Sequence, residues 1–346
     1  MTDWSHYDES HARVRPPRST RPRTKIRPTH DAAQPGTVVA VDRGRYTVQM
    51  DSADAGARVM AVKARELGRR GLVVGDRVGV VGDTSGREDT LARIVRREER
   101  TSALRRTADD TDTTERVVVA NARQLAIIAA LSNPEPNPRL IDRCLVAGFD
   151  AGMATLLVLT KADLADAGAM RALYEPLGVT VMAISVLREG GPAADPGFAR
   201  LITELAGTST VLVGPSGVGK STLVNALVPH AGRATGRVND VTGRGRHTST
   251  SSVMLDLPGG GWIIDTPGIR SFGLAHVDAE HFLLAFPDVA DYAAAHCPRG
   301  CAHASAAEGC ALDAWANEAP AVASDRHVKL DSIRRLLASR AASDTY

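Results

Sequence analysis

A glycine-rich loop that ends in a lysine and a serine is the strongest chemical signal in this sequence. The segment GPSGVGKS, residues 214–221, follows a short apolar run at 211–213 and precedes a helical stretch at 222–228. In such a strand, loop and helix, backbone amides surround phosphate oxygens, the lysine neutralises the outer phosphates and the serine hydroxyl binds Mg²⁺. The spacing therefore predicts a site for a nucleoside triphosphate with Mg²⁺. The residues predicted to contact it here are Gly214, Pro215, Ser216, Gly217, Val218, Gly219, Lys220, Ser221 and Thr222, with Ser221 also a magnesium ligand.

A second motif, TKAD at 160–163, ends an apolar run at 156–159. It resembles the (N/T)KxD motif of GTPases, in which the aspartate accepts two hydrogen bonds from guanine and the lysine stem covers the base. The alternative is an ordinary strand end whose aspartate caps the next helix. The phosphate loop elsewhere in the chain favours the base-reading interpretation, and so predicts GTP rather than ATP. The residues of this prediction are Thr160, Lys161, Ala162 and Asp163.

Two further segments complete a predicted nucleotide site. Ser185 follows the apolar run 179–184, where GTPases place a segment that contacts guanine O6, although Val186 replaces the usual alanine. The segment DTPG at 265–268 looks like the DxxG motif, in which Asp265 holds Mg²⁺ through water and the Gly268 amide senses the γ-phosphate. A simple Pro-Gly turn is the alternative for this segment.

Three of the four cysteines cluster with a histidine near the C-terminus. Cys297, Cys301, His303 and Cys310 offer three thiolates and an imidazole, which suffice for a closed tetrahedral zinc site. Such a site is structural, because four protein ligands leave no open position for catalysis. His296 is an alternative ligand, and the other alternative is a set of buried cysteines without metal. The remaining cysteine, Cys144, is predicted to lie in the core.

The spacing of apolar runs predicts three folded regions after a basic arm at 1–34. Between 35 and 105, short β-type runs at 37–41, 46–50, 59–62 and 77–81 are typical of a small closed barrel, of either the OB or the SH3-like type. Between 116 and 277, longer apolar runs alternate with helical stretches, which indicates a mostly parallel sheet with helices on both faces. These runs lie at 117–120, 125–131, 156–159, 179–184, 211–213 and 262–264.

The region 278–346 is predicted to be a small helical metal-binding domain. No apolar run typical of a strand follows residue 277, and a helix is predicted at 325–340. Within that helix, four apolar residues can share one face, and the basic residues lie on the other faces. The predicted apolar face consists of Val328, Ile333, Leu336 and Leu337.

The order of the motifs is rotated, because the base-reading Asp163 precedes Lys220 of the phosphate loop. The chain thereby resembles the circularly permuted GTPases, and its other features resemble the RsgA family, also called YjeQ or YloQ, over roughly residues 35–340. That resemblance implies an α/β P-loop GTPase domain, preceded by an all-β OB-type barrel and followed by a small helical zinc-binding domain. It also implies hydrolysis of GTP to GDP, stimulated by the small ribosomal subunit during late maturation.

The segment GRHTST at 245–250 resembles the GxxHTT switch of this family. The resemblance implies that His247 positions the attacking water and that a threonine reaches Mg²⁺. Thr248 is our candidate, but Ser249 stands where the family often has threonine, so the choice between them is open. A solvated loop histidine is the alternative for His247. Ile269 occupies the position of the water-orienting glutamine of Ras-like enzymes and cannot hydrogen-bond.

The net charge is only +2, so any nucleic-acid affinity must come from local clusters of basic residues. We expect ribosomal RNA as the partner, held by the barrel, by the arm with its basic run at 13–27, and by Arg334 and Arg335 of the last helix. A targeting segment is the alternative for the arm. No apolar stretch is long enough to span a bilayer, which predicts a cytoplasmic protein. The sequence suggests no coiled coil and no large exposed apolar stripe, so a monomer is expected. Two rival functions are an RNA-binding assembly chaperone with nucleotide as a structural ligand, and an ATP-dependent P-loop enzyme.

Overall fold

The computed structural model describes residues 30–51, 57–68, 71–106, 116–229, 252–266, 274, 279–305, 309–318 and 323–341. Three predicted features lie outside the described residues: residues 1–29 of the basic arm predicted at 1–34, the segment with His247, Thr248 and Ser249, and the turn with Gly268 and Ile269. Their roles stay predictions.

The N-terminal strands form the predicted closed barrel, and it is of the OB type. Its strands are β1 (Gln34–Asp42), β2 (Arg45–Met50), β3 (Arg58–Lys63), β4 (Arg77–Val81) and β5 (Ala92–Arg97). They pair in the order β1-β2-β3-β5-β4, and the β1–β4 pairing closes the barrel. The strand β5 was not predicted, because its three arginines interrupt the apolar alternation that marks a strand.

The apolar run 117–120 was expected in the main sheet, and this expectation is wrong. It belongs to β7 (Arg116–Ala120), which pairs with β6 (Ala103–Arg106) in a separate two-stranded sheet and makes one further bridge from Val119 to Val74. The facing side chains of Leu104 and Val119 are completely buried in the same apolar cluster as Leu125 and Val211, so the short sheet packs on the main core without joining the larger sheet.

Backbone contacts join the barrel to this short sheet. Gly75 has φ +89°, and a Cβ there would lie 1.9 Å from the carbonyl oxygen of Ala120, so glycine is required. The amide of Ala120 donates to Val74, and the side-chain amide of Asn121 donates to the Gly75 carbonyl. The Asp76 carboxylate, which is fully buried, accepts from Arg100 at 2.7 and 2.9 Å. These contacts fix the start of the next region against the barrel.

The central sheet contains the strands expected to carry the nucleotide motifs. They are β8 (Gln124–Ala130), β9 (Ala154–Thr160), β10 (Thr180–Ala183), β11 (Ser209–Val213), β12 (Val253–Asp256) and β13 (Trp262–Asp265). Their order is β10-β9-β8-β11-β13-β12, and all neighbours are parallel except β12 and β13. The carboxyl ends of β8, β9, β10, β11 and β13 therefore share one edge of the sheet, which is where ligands bind in such folds.

Four helices flank these strands: α1 (Pro138–Asp150), α2 (Gly168–Tyr174), α3 (Pro196–Leu205) and α4 (Lys220–Leu227). Local sequence sets where two of them begin. Asn137 accepts a hydrogen bond from the Leu140 amide, and Asp195 accepts one from the Phe198 amide at 2.8 Å. Each cap is worth about 1 kcal/mol. Cys144 lies on α1 in the core, as predicted, and burial raises the pKa of its thiol to about 12.

The C-terminal region is helical, as predicted. Its helices are α5 (Ala279–Leu283), α6 (Pro287–His296), α7 (Leu312–Asn317) and α8 (Ala323–Ala341), and no strand occurs among the described residues after 277. Phe282 and Phe286 pack with Phe149 of α1, with ring centroids 5.2 to 6.2 Å apart. On α8, the predicted face is buried at Ile333, Leu336 and Leu337 but wrong at Val328, which is 44% exposed; Leu330 is buried instead.

Arg334 and Arg335 were expected to bind RNA, but the structure engages both guanidinium groups inside the protein. Arg334 makes a bidentate ion pair with Asp313 of α7 at 2.6 and 2.9 Å. Arg335 lies 3.1 Å from Asp142 of α1 and its guanidinium covers the ring of Tyr174. Their side chains are only 18% and 30% exposed. These arginines therefore hold α8 in place, because they lie on its inner side, which sequence alone does not reveal.

Among the described residues, no helix has the length and apolar character that crossing a membrane requires.

Candidate functional site

The loop between β11 and α4 has the backbone that a phosphate loop needs. Gly217 and Gly219 have φ values of +83° and +90°, which side chains other than glycine rarely adopt. Val218 between them is buried and anchors the loop in the core. Lys220 and Ser221 open helix α4, and Ser221 is exposed in its first turn. The N-terminus of a helix favours anions, because its backbone amides and dipole attract negative charge.

The predicted base-reading motif is hydrogen-bonded directly to this loop. The Thr160 hydroxyl, at the end of β9, donates to the Val218 carbonyl at 2.6 Å. The Lys161 ammonium group donates to the carbonyls of Gly217 and of Asn133. Asn133 follows β8 and was missed from the sequence. The parallel neighbours β8, β9 and β11 bring these three loops together, so two motifs separated along the chain meet in the fold.

Asp163 is exposed and lies beside the end of β10, the neighbour of β9 in the sheet. The Ser185 hydroxyl donates to its Oδ1, which lowers the pKa of Asp163 below the ordinary value and keeps the carboxylate ionised. The Ser185 amide donates in turn to the Asp195 carboxylate at 3.0 Å, so the position of Ser185 is fixed from both sides. An ionised, oriented carboxylate is suited to accept hydrogen bonds from an N–H edge such as that of guanine.

A cleft of about 560 Å³ opens beside this aspartate. Three of its lining residues, Ala162, Asp163 and Ser185, were predicted from the sequence. Three charged residues were not, because they follow no motif and reach the cleft only through the loop between β10 and α3. The residues that line it are Ala162, Asp163, Ser185, Arg188, Glu189 and Asp195.

The phosphate loop also meets the predicted DxxG segment. β11 and β13 are parallel neighbours, and Leu212 lies opposite Asp265 in the ladder. This register places the Lys220 ammonium group in an ion pair with the Asp265 carboxylate. The buried Thr266 hydroxyl donates to the Leu212 carbonyl at 2.8 Å and anchors the same segment. The lysine and the aspartate expected at a magnesium-bound triphosphate are thus adjacent.

The four predicted metal ligands converge in the C-terminal region. The ligand atoms of Cys297, Cys301, His303 and Cys310 all lie within 4.8 Å of one another. Burial lowers the pKa of His303, which favours the neutral imidazole that binds metals. His296 is directed elsewhere, because its ring stacks on Tyr292 and its Nδ1 contacts the Tyr292 carbonyl. The set of ligands fits a closed metal site.

Contacts around this cluster hold it in shape. The Ala311 amide approaches the Cys297 sulfur at 3.4 Å, in the manner of a hydrogen bond to a ligating sulfur. Arg334 of α8 donates to the His303 carbonyl at 3.2 Å while pairing with Asp313. His303 has a positive φ of +57°, so this external hydrogen bond supports an uncommon backbone conformation.

Comparisons with known proteins agree with this geometry. The family model described as RsgA GTPase matches residues 97–275. The small ribosomal subunit biogenesis GTPase RsgA of Pseudomonas savastanoi pv. phaseolicola is 36% identical over 285 residues, covering 81% of this chain and 79% of that protein. The protein of the same name from Gemmatimonas aurantiaca is 35% identical over 270 residues, covering 77% of this chain and 85% of its own.

Two solved structures share the fold. YloQ, described as a circularly permuted GTPase, matches with a TM-score of 0.62 at 21% identity, covering 90% of this chain and 96% of that one. YjeQ from Thermotoga maritima matches with a TM-score of 0.54 at 24% identity, covering 75% and 83%. The rotated order of motifs thus corresponds to a known permuted fold.

Proposed function

This chain belongs to the RsgA GTPase family, and we propose that its hydrolysis of GTP serves the late maturation of the small ribosomal subunit. The observation that carries the proposal is the bonding of Thr160 and Lys161 to the phosphate loop. That bonding joins a guanine-reading motif to a triphosphate site in the permuted order of this family.

In the proposed site, Asp163 reads guanine and the phosphate loop with Lys220 holds the phosphates. Ser221 and, through water, Asp265 would hold a magnesium ion, which would supply positive charge against the charge that develops on the phosphates. We further propose that Thr248 reaches the same ion, that the Gly268 amide senses the γ-phosphate and that His247 positions the attacking water. Hydrolysis is slow until the partner brings His247 to the attacking water, since catalysis here rests on positioning and charge stabilisation.

We assign Zn²⁺ to the cluster of Cys297, Cys301, His303 and Cys310, one ion per chain. Three thiolates and an imidazole are the ligands of closed, structural zinc sites. Its contribution is to fix the loop between α6 and α7. The region 278–346 begins ten residues after the segment 265–268, so the proposed γ-phosphate sensor and the zinc region are close together in the chain. A change of nucleotide would thereby alter the surface offered to the ribosome.

The RNA contacts are assigned to the basic arm at 1–34 and to the barrel at 35–105. Arg45 of β2 and Arg93 of β5 are both exposed, and each lies opposite Val62 of β3 in the ladders. Residues that face one another in neighbouring strands share a face of the sheet, so the two arginines form a basic row. Such a row suits the phosphates of structured RNA. Between the barrel and the zinc region, residues 116–277 form the GTPase domain. The full chain acts as a cytoplasmic monomer.

We expect Asp163→Asn to change the preferred base. Asparagine can no longer accept from the 2-amino group of guanine, but it can donate to the 2-oxo group of xanthine. Losing a hydrogen bond to a charged acceptor, about 1.5–3 kcal/mol, weakens GTP binding on the order of 10- to 100-fold. Steady-state hydrolysis of GTP, XTP and ATP measures this change.

The matched control is Asp166→Asn, which changes an exposed carboxylate in the same loop that accepts from Gly168. It should hydrolyse GTP like the wild type. If Asp163→Asn keeps its preference for GTP, or if ATP is used as well as GTP by the wild type, the ATP-dependent alternative replaces guanine recognition.

Nucleotide state should control binding to the small subunit. Co-sedimentation of the full chain with purified small subunits is expected to recover more protein with a non-hydrolysable GTP analogue than with GDP. Asp163→Asn, tested with the same GTP analogue, should lose that advantage. Equal recovery with both nucleotides, with no hydrolysis on the subunit, would favour the assembly chaperone in which nucleotide is only a structural ligand.

A further inference from the structure

The cleft beside Asp163 contains a cationic side chain that no motif predicts. Among the residues that line this cleft in the described part of the chain, Arg188 alone carries a positive charge. Its side chain is 46% exposed, and its guanidinium group lies 3.5 Å from the Asp195 carboxylate. Arg188 is therefore held at the rim of the cleft and still open towards it.

Asp195 connects this arginine to the base-reading residues. The same oxygen, Oδ2, accepts the Ser185 amide at 3.0 Å and faces Arg188, while Oδ1 caps helix α3 through the Phe198 amide. The Asp195 side chain is 7% exposed, so its position is set by the core. Ser185 also donates to Asp163, and one buried carboxylate thereby fixes both the guanine-reading loop and Arg188.

The lysine of the base-reading motif makes its hydrogen bonds on the opposite side of the site from Arg188. Lys161 donates to the carbonyls of Asn133 and Gly217, which belong to the loops after β8 and β11. Its ammonium group is thus fixed on the side of the phosphate loop, away from the loop between β10 and α3. A base bound at Asp163 needs a stacking partner on the side of the loop between β10 and α3, because a ring face exposed to water makes no stacking contact.

We propose that Arg188 is this partner and stacks its guanidinium plane on the guanine ring of GTP and GDP. A guanidinium group is planar and weakly hydrated, and it stacks well on aromatic faces. Its ion pair with Asp195 fixes the guanidinium plane and leaves a face of that plane available for stacking. This inference rests on the proposed role of Asp163 in reading guanine.

The test is calorimetric titration of GDP and of ADP into the full-length protein and its variants. Arg188→Ala should bind GDP about tenfold more weakly than the wild type, since stacking of this kind contributes on that scale. Arg188→Lys keeps the charge but not the plane, and should show most of that loss at both low and high salt. Arg200→Ala removes an exposed arginine from α3 of the same segment and should bind GDP like the wild type. ADP binding should be weak in every variant.

Two outcomes overturn the inference: wild-type GDP affinity in Arg188→Ala, or full affinity in Arg188→Lys, which would make Arg188 a simple counter-charge for Asp195. Thermal unfolding of each variant separates a lost contact from a lost fold. Asp163→Asn is titrated in parallel. If Asp163→Asn binds GDP normally, the guanine site itself is misassigned; if it loses GDP while Arg188→Ala does not, only the role of Arg188 fails.

Discussion

Replacing Lys220 with alanine should lower kcat for GTP hydrolysis by about 10²- to 10³-fold. The ammonium group lies at the start of α4, next to the Asp265 carboxylate, where the outer phosphates of GTP are expected. Losing one preorganised charge that stabilises the transition state costs a rate factor of this size. The measurement is single-turnover hydrolysis at saturating GTP, which separates chemistry from nucleotide binding.

The fold should tolerate the loss of Lys220. Its partner Asp265 is 32% exposed and can be solvated, so the free energy of unfolding should change by less than about 1 kcal/mol. Lys329→Ala is the matched control, because that lysine pairs with Asp288 on the surface of the C-terminal region. It should hydrolyse GTP at the wild-type rate. An unchanged rate in Lys220→Ala would show that the lysine of the phosphate loop takes no part in GTP hydrolysis.

Cys310→Ser should abolish stoichiometric zinc binding and unfold the C-terminal region at a lower temperature. The serine hydroxyl is a poor ligand for zinc, and three remaining ligands hold the ion far more weakly. In small zinc domains the binding free energy is also folding free energy, on the order of 10 kcal/mol. Metal analysis of the purified chain, combined with thermal unfolding, measures both effects.

Cys144→Ser provides a control with the same chemical change. Cys144 is buried on α1, far along the chain from the cluster, so its substitution affects packing but no predicted ligand. This variant should keep one zinc per chain. A full complement of zinc in Cys310→Ser would exclude Cys310 as a ligand, and equal zinc loss in both variants would indicate general unfolding rather than a metal site.

The parts of the site predicted from the sequence are those that depend on local spacing. The phosphate loop and the cluster of Cys and His ligands each lie within a short segment of sequence. Their residue types and spacing therefore indicate phosphate binding and metal binding without knowledge of the fold. Asp163 and Lys220 could be associated because each follows an apolar run, and parallel strands end at the same edge of a sheet. The structure brings their loops together through Thr160 and Lys161.

The parts that were missed depend on tertiary contacts. Asn133 and Arg188 belong to no motif and approach the site only because β8 and β10 lie beside β9. Arg334 and Arg335 looked like surface charges, yet their partners Asp313 and Asp142 are 21 and 193 positions away. The strand β12 is too short and too ordinary in composition to be recognised without its partner β13.

Phosphate release from GTP and from ATP by the purified chain, with and without isolated small ribosomal subunits, tests the proposed function most directly. We expect slow hydrolysis of GTP alone, strong stimulation by the subunit, and no comparable stimulation with ATP. Equal, unstimulated rates with the two nucleotides would contradict the proposed function, leaving a P-loop enzyme without a ribosomal role.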